Sequence, residues 1–501
     1  MRTRFAIVAC ALLAACGSGE SILQAGNELP PPATTLPPAS TVPGQTLPST
    51  VPPTIATTTT TPLDALPPCP VDALDDVTSP VTITFWHGLG GESENVLVDL
   101  TKEYNASQER VRVRLQNQGG YNQTIDKYVQ SSRGSRPHLV MFPEYMVQQM
   151  ADSDSVIPIG ACFEASGFDT SPFVPRTLLA YQAEGVQWSM PFNVSNPVLY
   201  YNRKVFEAAG LDPDDPPVSL ADLRRVSQAI VDSGAAATGI ALDSGVDSGG
   251  GWFIEQWFAR AGELYADNGN GRVAPATKVL YDGPAGVALL ADVQSLITDG
   301  LAVTVGDNPL GQDALLKIAD PNAPAAMAIA TSAALGTVLA ALGGGLIPGL
   351  TQADVGVGPM PGPGETPSAL VGGGTLYIVA DKGDAEAAAA WDYIQFLVSA
   401  ESQSKWAAGT GYVPVREDAL PLEPLASTYA SDPRFKVAYN QLLARADDVA
   451  ALGPVLGPLR EVRSVTAGGV AAILNGADVA STLADTAAQS NALIVDYNAR
   501  N

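Results

Sequence analysis

The stretch PFNVSNPVLYYNRKVF, at residues 191–206, marks the place where the chain passes between two compact units. Pro-Phe-Asn followed by Ser-Asn-Pro is typical of irregular backbone at a boundary. Residues 198–201, Val-Leu-Tyr-Tyr, predict a short and fully buried strand. Asn202 is placed to cap the helix that follows, and Gly210 to end it. We therefore expect the polar side chains of this stretch at a junction, where ligand clefts form.

The first sixteen residues have the pattern of a lipoprotein signal peptide. Arg2 and Arg4 give a positive start, residues 5–13 are apolar but too short to span a bilayer, and Leu-Ala-Ala-Cys ends at Cys16. This motif resembles a bacterial lipobox, in which the cysteine carries lipid. Residues 1–16 are therefore predicted to be a signal peptide, and Cys16 the lipidation site of an extracytoplasmic protein tethered to the cell membrane. An ordinary signal peptide with an incidental cysteine is the alternative.

Composition divides the remainder into a spacer and a folded body. Residues 17–68 are rich in Thr, Pro, Ser and Ala with very few charges, which predicts a disordered, semi-rigid linker. Residues 69–501 are long enough for two lobes. The net charge of −25 argues against nucleic acid and against a broad anionic membrane surface as partners. With two histidines and no Cys-x-x-Cys motif, we predict neither a metal site nor a cofactor.

Two of the four cysteines are available to pair. Cys10 leaves with the signal peptide and Cys16 is assigned to the lipid, so Cys69 and Cys162 remain. In an oxidising compartment they form a disulfide that pins the end of the linker to the first lobe, or they stay as two buried thiols.

The pattern of the body predicts an α/β protein. Alternating or buried strands at 81–86, 111–115 and 139–142 are separated by amphipathic helices at 93–104 and 121–132, which favours a largely parallel sheet. A second series follows residue 206. It comprises a helix capped by Ser219, strands near 326–330 and 376–379, and C-terminal helices at 385–399, 402–408, 433–446 and 479–498.

Motifs of catalysis are missing from the sequence. There is no Gly-x-Ser-x-Gly elbow and no phosphate-binding Gly-x-x-x-x-Gly-Lys loop. His87, next to Trp86, is either a general base or a hydrogen-bonded structural residue at the end of a strand, and we favour the second. A carboxylate pair for glycoside hydrolysis leaves no sequence signature. The sequence favours a binding protein over an enzyme.

A series of short motifs resembles one known family, the extracellular solute-binding proteins of ABC importers, family 1, and within it the members that bind glycerol phosphates. The motifs occur in order over nearly the whole body. They are Phe85-Trp86-His87 with Gly91-Glu92, Gly120-Tyr121, Pro137 and Glu144, Pro191-Phe192-Asn193 and Ser195, PVLYYN at 197–202, AGLDP at 209–213, Gly372-Gly373, TGYVP at 410–414, and Arg463.

The resemblance implies a two-lobed periplasmic-binding-protein fold, type II-like, with the ligand cleft between the lobes. It places lobe 1 at residues 69–192 and about 328–380, and lobe 2 at about 193–327 and 381–501. Closure of the lobes on the ligand is a hinge motion. The implied partners are a small-molecule phosphate ester, polyol or sugar and the permease subunits of an importer, with the protein a monomer.

The resemblance also implies a set of ligand-binding residues. Arg463 would grip phosphate oxygens bidentately, the hydroxyl groups would donate hydrogen bonds, and Glu144 would accept from glycerol hydroxyls. Ser332 competes with Thr331, and Arg460 with Arg463, because a short alignment slip would exchange them. The set is Tyr121, Glu144, Ser195, Trp252, Thr331, Gly373, Tyr412 and Arg463.

One departure from the family bears on the ligand. The glycerol-phosphate-binding members have two neighbouring tryptophans, whereas here Trp252 is kept and Gly249 stands in place of the other. Loss of an indole would open volume and favour a larger ligand, such as glycerophosphocholine, with Asp243 or Asp247 facing its cation. A sugar or oligosaccharide is the alternative ligand within the family. A secreted hydrolase and a solute sensor are the competing classes of protein.

Overall fold

The computed structural model of the protein describes residues 66–308 and 311–501. The predicted signal peptide, Cys16 and residues 17–65 of the linker lie outside the described residues. The strands are β1 (Val81–His87), β2 (Val111–Asn117), β3 (Leu139–Pro143), β4 (Val156–Ile157), β5 (Gln182–Ala183), β6 (Val186–Gln187), β7 (Met190–Ser195), β8 (Pro197–Asn202), β9 (Thr238–Leu242), β10 (Ala302–Thr304), β11 (Ala325–Thr331), β12 (Val355–Pro359) and β13 (Gly372–Val379).

Helices precede, connect and follow these strands. They are α1 (Gly91–Ser107), α2 (Tyr121–Gln130), α3 (Val147–Ala151), α4 (Ile159–Ser166), α5 (Pro175–Ala180), α6 (Arg203–Ala208), α7 (Leu220–Ser233), α8 (Trp252–Ala261), α9 (Asp267–Asn270), α10 (Pro284–Thr298), α11 (Asp313–Ile318), α12 (Leu335–Gly343), α13 (Asp384–Leu397), α14 (Ala400–Thr410), α15 (Leu425–Ser431), α16 (Val437–Leu443), α17 (Val449–Leu452), α18 (Leu459–Leu474) and α19 (Val479–Asn498). Among the described residues, no helix has both the length and the apolar character needed to cross a bilayer.

The first lobe is built on a sheet of order β2-β1-β3-β13-β4, with β7 also paired to β13. β1 pairs in parallel with β2 and with β3, as the alternation of strands and helices predicts, and β13 returns antiparallel to β3. β3 is buried along its whole length. A strand covered on both faces needs helices on each side of the sheet, and α2 packs against β3 while α13 packs against β1 and β13.

The second lobe is built on a separate sheet of order β10-β9-β11-β8-β12. β9 pairs in parallel with β10 and β11, and β8 is antiparallel to β11 and β12. α7 and α11 pack against this sheet, and α10 carries the C-terminal hairpin of α18 and α19. The fold is therefore the two-lobed α/β fold that the sequence predicted.

The stretch at 191–206 is the crossing between the lobes. β7 ends in the first sheet at Ser195 and β8 begins in the second sheet at Pro197, so only Asn196 separates them. Asn196 is fully buried, and its side chain donates to the carbonyl of Ala438 (2.9 Å) and accepts from Gln441 (2.5 Å). The predicted helix cap is present, because Asn202 Oδ1 accepts from the Lys204 N–H.

The predicted boundaries of the lobes are wrong in the second half of the chain. Residues 328–371 were assigned to lobe 1, but β11 and β12 pair with β8 in the second sheet. Residues 384–410 were assigned to lobe 2, but α13 packs on β1 and β13, and α14 packs on α1, in the first lobe. Both errors arise because sequence order does not reveal strand pairing, and β13 alone returns from the second lobe to complete the first sheet.

Two local features complete the first lobe and the C-terminal region. Cys69 and Cys162, whose pairing the sequence left open, are joined by a disulfide that fixes the start of the body to α4. The helix predicted over residues 433–446 is instead a 3-10 turn, Pro433–Lys436, followed by α16.

Candidate functional site

Two predicted site residues, Tyr121 and Tyr412, converge on one buried amide at the edge of the first lobe. Asn193 is fully buried in β7, and the amide orientation that satisfies every neighbour has Oδ1 accepting from Tyr121 (2.7 Å) and from Tyr412 (3.2 Å). In that orientation its Nδ2 donates to the carbonyl of Gly374 (2.9 Å). Asn193 thereby ties α2, β7, β13 and the segment after α14 together, and it holds both phenols in one place.

The glycines at the start of β13 let three elements meet closely. Gly373 has a φ of +90°, and a Cβ there would lie 2.1 Å from the Asn193 carbonyl and 3.1 Å from the Ser195 hydroxyl. A Cβ on Gly372 would lie 2.2 Å from the indole of Trp252, which begins α8 in the second lobe. Gly372 and Gly373 therefore bring the start of β13 close to Trp252 of the second lobe and to Ser195 of the first, at positions where a larger side chain would not fit.

The hydroxyl of Thr331 is used in a hydrogen bond to the backbone. This residue ends β11, and its hydroxyl accepts from the Ala333 N–H (3.2 Å) as the cap of a 3-10 turn. The neighbouring Ser332 is buried, and its hydroxyl has no hydrogen-bond partner within the described residues. Ser332 is also the closer of the two to the Tyr412 segment, since a Cβ on Gly411 would lie 2.5 Å from the Ser332 carbonyl. Of the two hydroxyls, that of Thr331 is used in a cap and that of Ser332 is not bonded within the described residues.

Arg463 lies at the boundary between the lobes, and its guanidinium is already hydrogen-bonded to protein carboxylates. Its Nε and Nη2 donate to the two carboxylate oxygens of Glu255, at 2.6 and 2.7 Å, and Nη2 also donates to Glu144 at 2.8 Å. The side chains of Arg463 and Glu255 are each 3% exposed. The bidentate edge that the resemblance assigned to phosphate is therefore occupied by a carboxylate of α8.

Glu144, in a 3-10 turn of the first lobe, lies between Arg463 and the phenol of Tyr121. Burial raises its pKa to about 7, against the opposing effect of Arg463, and the Glu255 charge adds to the rise. Burial also raises the pKa of Tyr121 well above its usual range, and the nearby Tyr412 and Glu144 contribute. Glu144 thus lies within electrostatic range of Tyr121 while it bonds Arg463 from the second lobe.

The structure of the loop before α8 contradicts the prediction that Gly249, in place of a tryptophan, opens volume for a larger ligand. Asp243 accepts from the N–H groups of Gly245 (2.9 Å) and Gly249 (3.0 Å) and from the Ser248 hydroxyl. A Cβ on Gly249 would lie 1.9 Å from the Asp243 carbonyl, and the space beside it is a small cavity of about 20 Å³ lined by residues of the second lobe. Gly249 therefore opens no volume for a ligand, and Asp243 faces its own loop.

Asp247, the other acid proposed to face a cation, is placed differently. Its carboxylate is exposed to solvent, yet the surrounding protein raises its pKa, with Arg463 and Arg460 opposing the rise. Asn122, at the start of α2 in the first lobe, donates a hydrogen bond to it.

Sequence reasoning missed Asn193 and Glu255 as members of the site. Asn193 lay inside a motif that identified the family but was given no role. Glu255 carries a clearer signal, because every residue from Trp252 to Arg260 is buried and a glutamate in such a helix requires a partner. That partner, Arg463, lies 208 residues further along the chain.

The fold agrees with comparisons to known proteins. The sequence profile of the bacterial extracellular solute-binding proteins matches residues 99–437, more than half of the chain. The chain belongs to this family. Its relatives include the sn-glycerol-3-phosphate-binding periplasmic protein UgpB of Rhizobium meliloti, 27% identical over 81% of this chain and 92% of that protein. The UgpB of Escherichia coli K12 is 26% identical over 81% of this chain and 91% of its own.

Solved structures share the fold at lower identity. UgpB from Mycobacterium tuberculosis in complex with glycerophosphocholine has a TM-score of 0.69 and 23% identity, covering 84% of this chain and all of that one. The GacH receptor of Streptomyces glaucescens, solved with acarbose, has a TM-score of 0.68 and 18% identity at the same coverage. The chain is therefore an extracytoplasmic solute-binding protein of an ABC transporter, and at the level of the family it is not an enzyme.

Proposed function

We propose that the protein is a lipid-anchored substrate-binding component of an ABC importer, and that its lobes close on glycerol-3-phosphate or on a glycerophosphodiester. The anchor would be a lipid on Cys16, followed by the Thr- and Pro-rich linker of residues 17–68. The permease subunits of the importer would receive the ligand from the closed form. The names of the sequence relatives, which bind sn-glycerol-3-phosphate, support this class of ligand.

The observation that carries the proposal is a buried arginine between the lobes, whose guanidinium lies over the ring of Tyr145 and bonds Glu144. Arg463 bonds Glu144 across the boundary, and Glu144 is electrostatically coupled to Tyr121. Charge-assisted hydrogen bonds to a guanidinium are the strong contacts by which proteins hold phosphate oxygens. The ligand would displace or share the Glu144 contact and take further hydrogen bonds from the hydroxyls.

The proposed ligand-binding residues divide between the lobes. The first lobe contributes Tyr121, Glu144, Ser195, Gly373 and Tyr412, and the second contributes Trp252, Ser332 or Thr331, and Arg463. A ligand that contacts both sets gains more contacts in the closed state than in the open one, and this difference is what drives closure.

A sugar is the second candidate ligand, and one observation favours it. Two carboxylates, Glu255 and Glu144, already bond the single guanidinium of Arg463, so the site does not require an anion. Several proteins of the same fold were solved with sugars, among them the GacH receptor with acarbose. That likeness concerns the fold alone at the identities observed.

Isothermal titration calorimetry with the purified full chain tests the proposal. Glycerol-3-phosphate, glycerophosphocholine and maltose are titrated separately at pH 7.5. We expect at least one of the two glycerol phosphates to bind at micromolar or lower concentration and maltose not to bind. Binding of maltose alone would replace the proposal by the sugar alternative.

A further inference from the structure

A cavity of about 390 Å³ lies in the second lobe, outside the interlobe cleft. It is lined by the start of α7, the end of α8, the first half of α10 and residues 362–365 of the connection from β12 to β13. None of the residues predicted to bind the interlobe ligand lines it. Trp252, the predicted ligand residue of α8, lies about 14 Å from Ala261 at the other end of that helix. The cavity is therefore a separate place, and its volume is in the range of small-molecule sites, about 300–1,000 Å³.

The buried part of the lining is apolar. Trp257, Phe258 and Leu289 are all buried and all line the cavity. The indole N–H of Trp257 is already used, because it donates to the carbonyl of Pro361 at 2.8 Å, so this residue presents only apolar surface. One face of α10 lines the cavity through four residues at the spacing i, i+3, i+4 and i+7: Ala285, Ala288, Leu289 and Asp292. These surfaces suit an apolar ligand body.

The exposed part of the lining carries three carboxylates. They are Glu263 just after α8, Asp292 of α10 and Glu365 of the connection. Within residues 66–308 and 311–501, none of the three forms an ion pair. The carboxylates of Asp222 and Asp299, by contrast, each pair with an arginine of α7. The opening of the cavity is therefore negative and is not neutralised by the protein.

Positive groups near the cavity are already engaged. Arg260 is 8% exposed, and its three guanidinium nitrogens donate to four backbone carbonyls, three of them in residues 360–364. The N-terminus of α7 carries Asp222 in its first turn, and the Ser219 hydroxyl accepts from the Asp222 N–H. An acidic side chain there offsets the positive end of the helix. A cation is therefore favoured over an anion in this cavity.

We propose that this cavity is a second binding site, which takes a small organic cation with an apolar body. The apolar body would lie against Trp257 and the lining face of α10, and the cationic group among the three carboxylates at the opening. Charge complementarity selects this occupant, since the same carboxylates oppose a phosphate ester or any other anion. The site does not depend on which ligand the interlobe cleft binds.

Isothermal titration calorimetry of the full chain at pH 7.5 and low ionic strength tests the proposal with three matched probes. 2-Phenylethylamine has an aromatic ring and an ammonium group, ethylamine has the ammonium group alone, and 2-phenylethanol has the ring without the charge. We expect 2-phenylethylamine to bind at least about tenfold more tightly than either of the others, because only it uses both parts of the lining. Equal binding of ethylamine would overturn the proposal, since it would show only general attraction to a protein of net charge −25.

Variants of the lining locate the probe. Ala288 is exposed on α10, so Ala288→Trp should fill the cavity and abolish binding of 2-phenylethylamine. Ala291→Trp is the matched control, because Ala291 is exposed on the same helix but does not line the cavity. Asp292→Asn and Glu365→Gln should each weaken the probe about threefold. Glu401→Gln removes an exposed carboxylate of α14 in the first lobe and should leave the affinity unchanged.

The outcomes are independent of the proposed function. An unchanged affinity in Ala288→Trp would put the probe elsewhere, the interlobe cleft included, and would overturn the assigned site. No binding of 2-phenylethylamine to the wild-type protein at about 10 mM would overturn it as well, and that measurement requires no variant to fold. Ala288→Trp should keep the wild-type affinity for whichever of glycerol-3-phosphate, glycerophosphocholine or maltose the cleft binds. Thermal unfolding establishes that each variant is folded.

Discussion

Arg460 and Arg463 reach from one helix, α18, to carboxylates of the first lobe, and their distances are the same. Arg460 meets Asp126 at 2.8 Å and Arg463 meets Glu144 at 2.8 Å. Their surroundings differ, because the side chains of the first pair are 28% and 52% exposed and those of the second are 3% and 16% exposed. Only Arg463 has a second carboxylate, Glu255, bound on its bidentate edge.

The length of an ion pair therefore does not reveal its role. An exposed pair gains little, because water screens both charges whether or not they meet. A buried guanidinium has lost its water and depends on Glu255 to remain charged in place. Arg460 therefore contributes to the contact between the lobes but would remain solvated without it. Arg463 is held within the second lobe by Glu255 and also bonds Glu144 of the first lobe.

The largest expected effect is the loss of stability when Arg463 is removed, compared with the removal of Arg460. Arg463→Ala leaves Glu255 buried without its partner and should lower the free energy of unfolding by about 3–5 kcal/mol. Arg460→Ala removes an exposed pair and should cost no more than about 1 kcal/mol. Urea unfolding of the ligand-free protein, followed by tryptophan fluorescence, measures both. Equal losses in the two variants would show that burial does not separate the pairs.

A smaller effect is expected from the titration of Glu144. Its folded pKa of about 7 is higher than the ordinary value of 4.5, so the native state holds this proton more tightly than the unfolded chain does. Stability from this group is then present at low pH and is lost as pH rises through 7. Between pH 6 and pH 8 the loss should be about 1 kcal/mol.

Unfolding at the two pH values in wild type and in Glu144→Gln measures that contribution by difference. The difference is needed because desolvation by the surrounding protein also raises the pKa of Asp247, which changes stability in the same direction. Asp126→Asn, which replaces the exposed carboxylate of the neighbouring pair, is expected to keep the wild-type dependence on pH. A Glu144→Gln protein with the full wild-type dependence would assign the titration to another group.

Local sequence predicted the elements well because their signals are local. α19 begins and ends at the predicted residues, with Asp478 accepting from the Ser481 N–H as its cap. The crossing at Asn196 was predicted within a few residues, since Pro197 and the buried strand after it stand out in the sequence. These features depend on neighbours within a few positions, which a single sequence displays directly.

The lobe boundaries and the state of Arg463 could not be predicted in the same way. β13 pairs with strands more than 170 residues earlier, and Arg463 bonds residues 208 and 319 positions away. The resemblance placed Arg463 at the site, but it could not show that Glu255 occupies the guanidinium. The compact loop around Asp243 could not be predicted either. In the sequence Gly249 is only a position without a side chain, whereas in the structure its N–H donates to the Asp243 carboxylate.

The smallest expected effect concerns salt, and it separates the two pairs by a different property. At low ionic strength Asp126→Asn should cost about 0.2–1 kcal/mol. In 1 M sodium chloride, where the Debye length falls to about 3 Å, that cost should become too small to measure. The cost of Glu255→Gln, measured in the same urea titrations, should persist, because salt does not reach a pair that is 3% exposed on both sides. If salt reduces both costs alike, Arg463 is more accessible to solvent than its burial indicates.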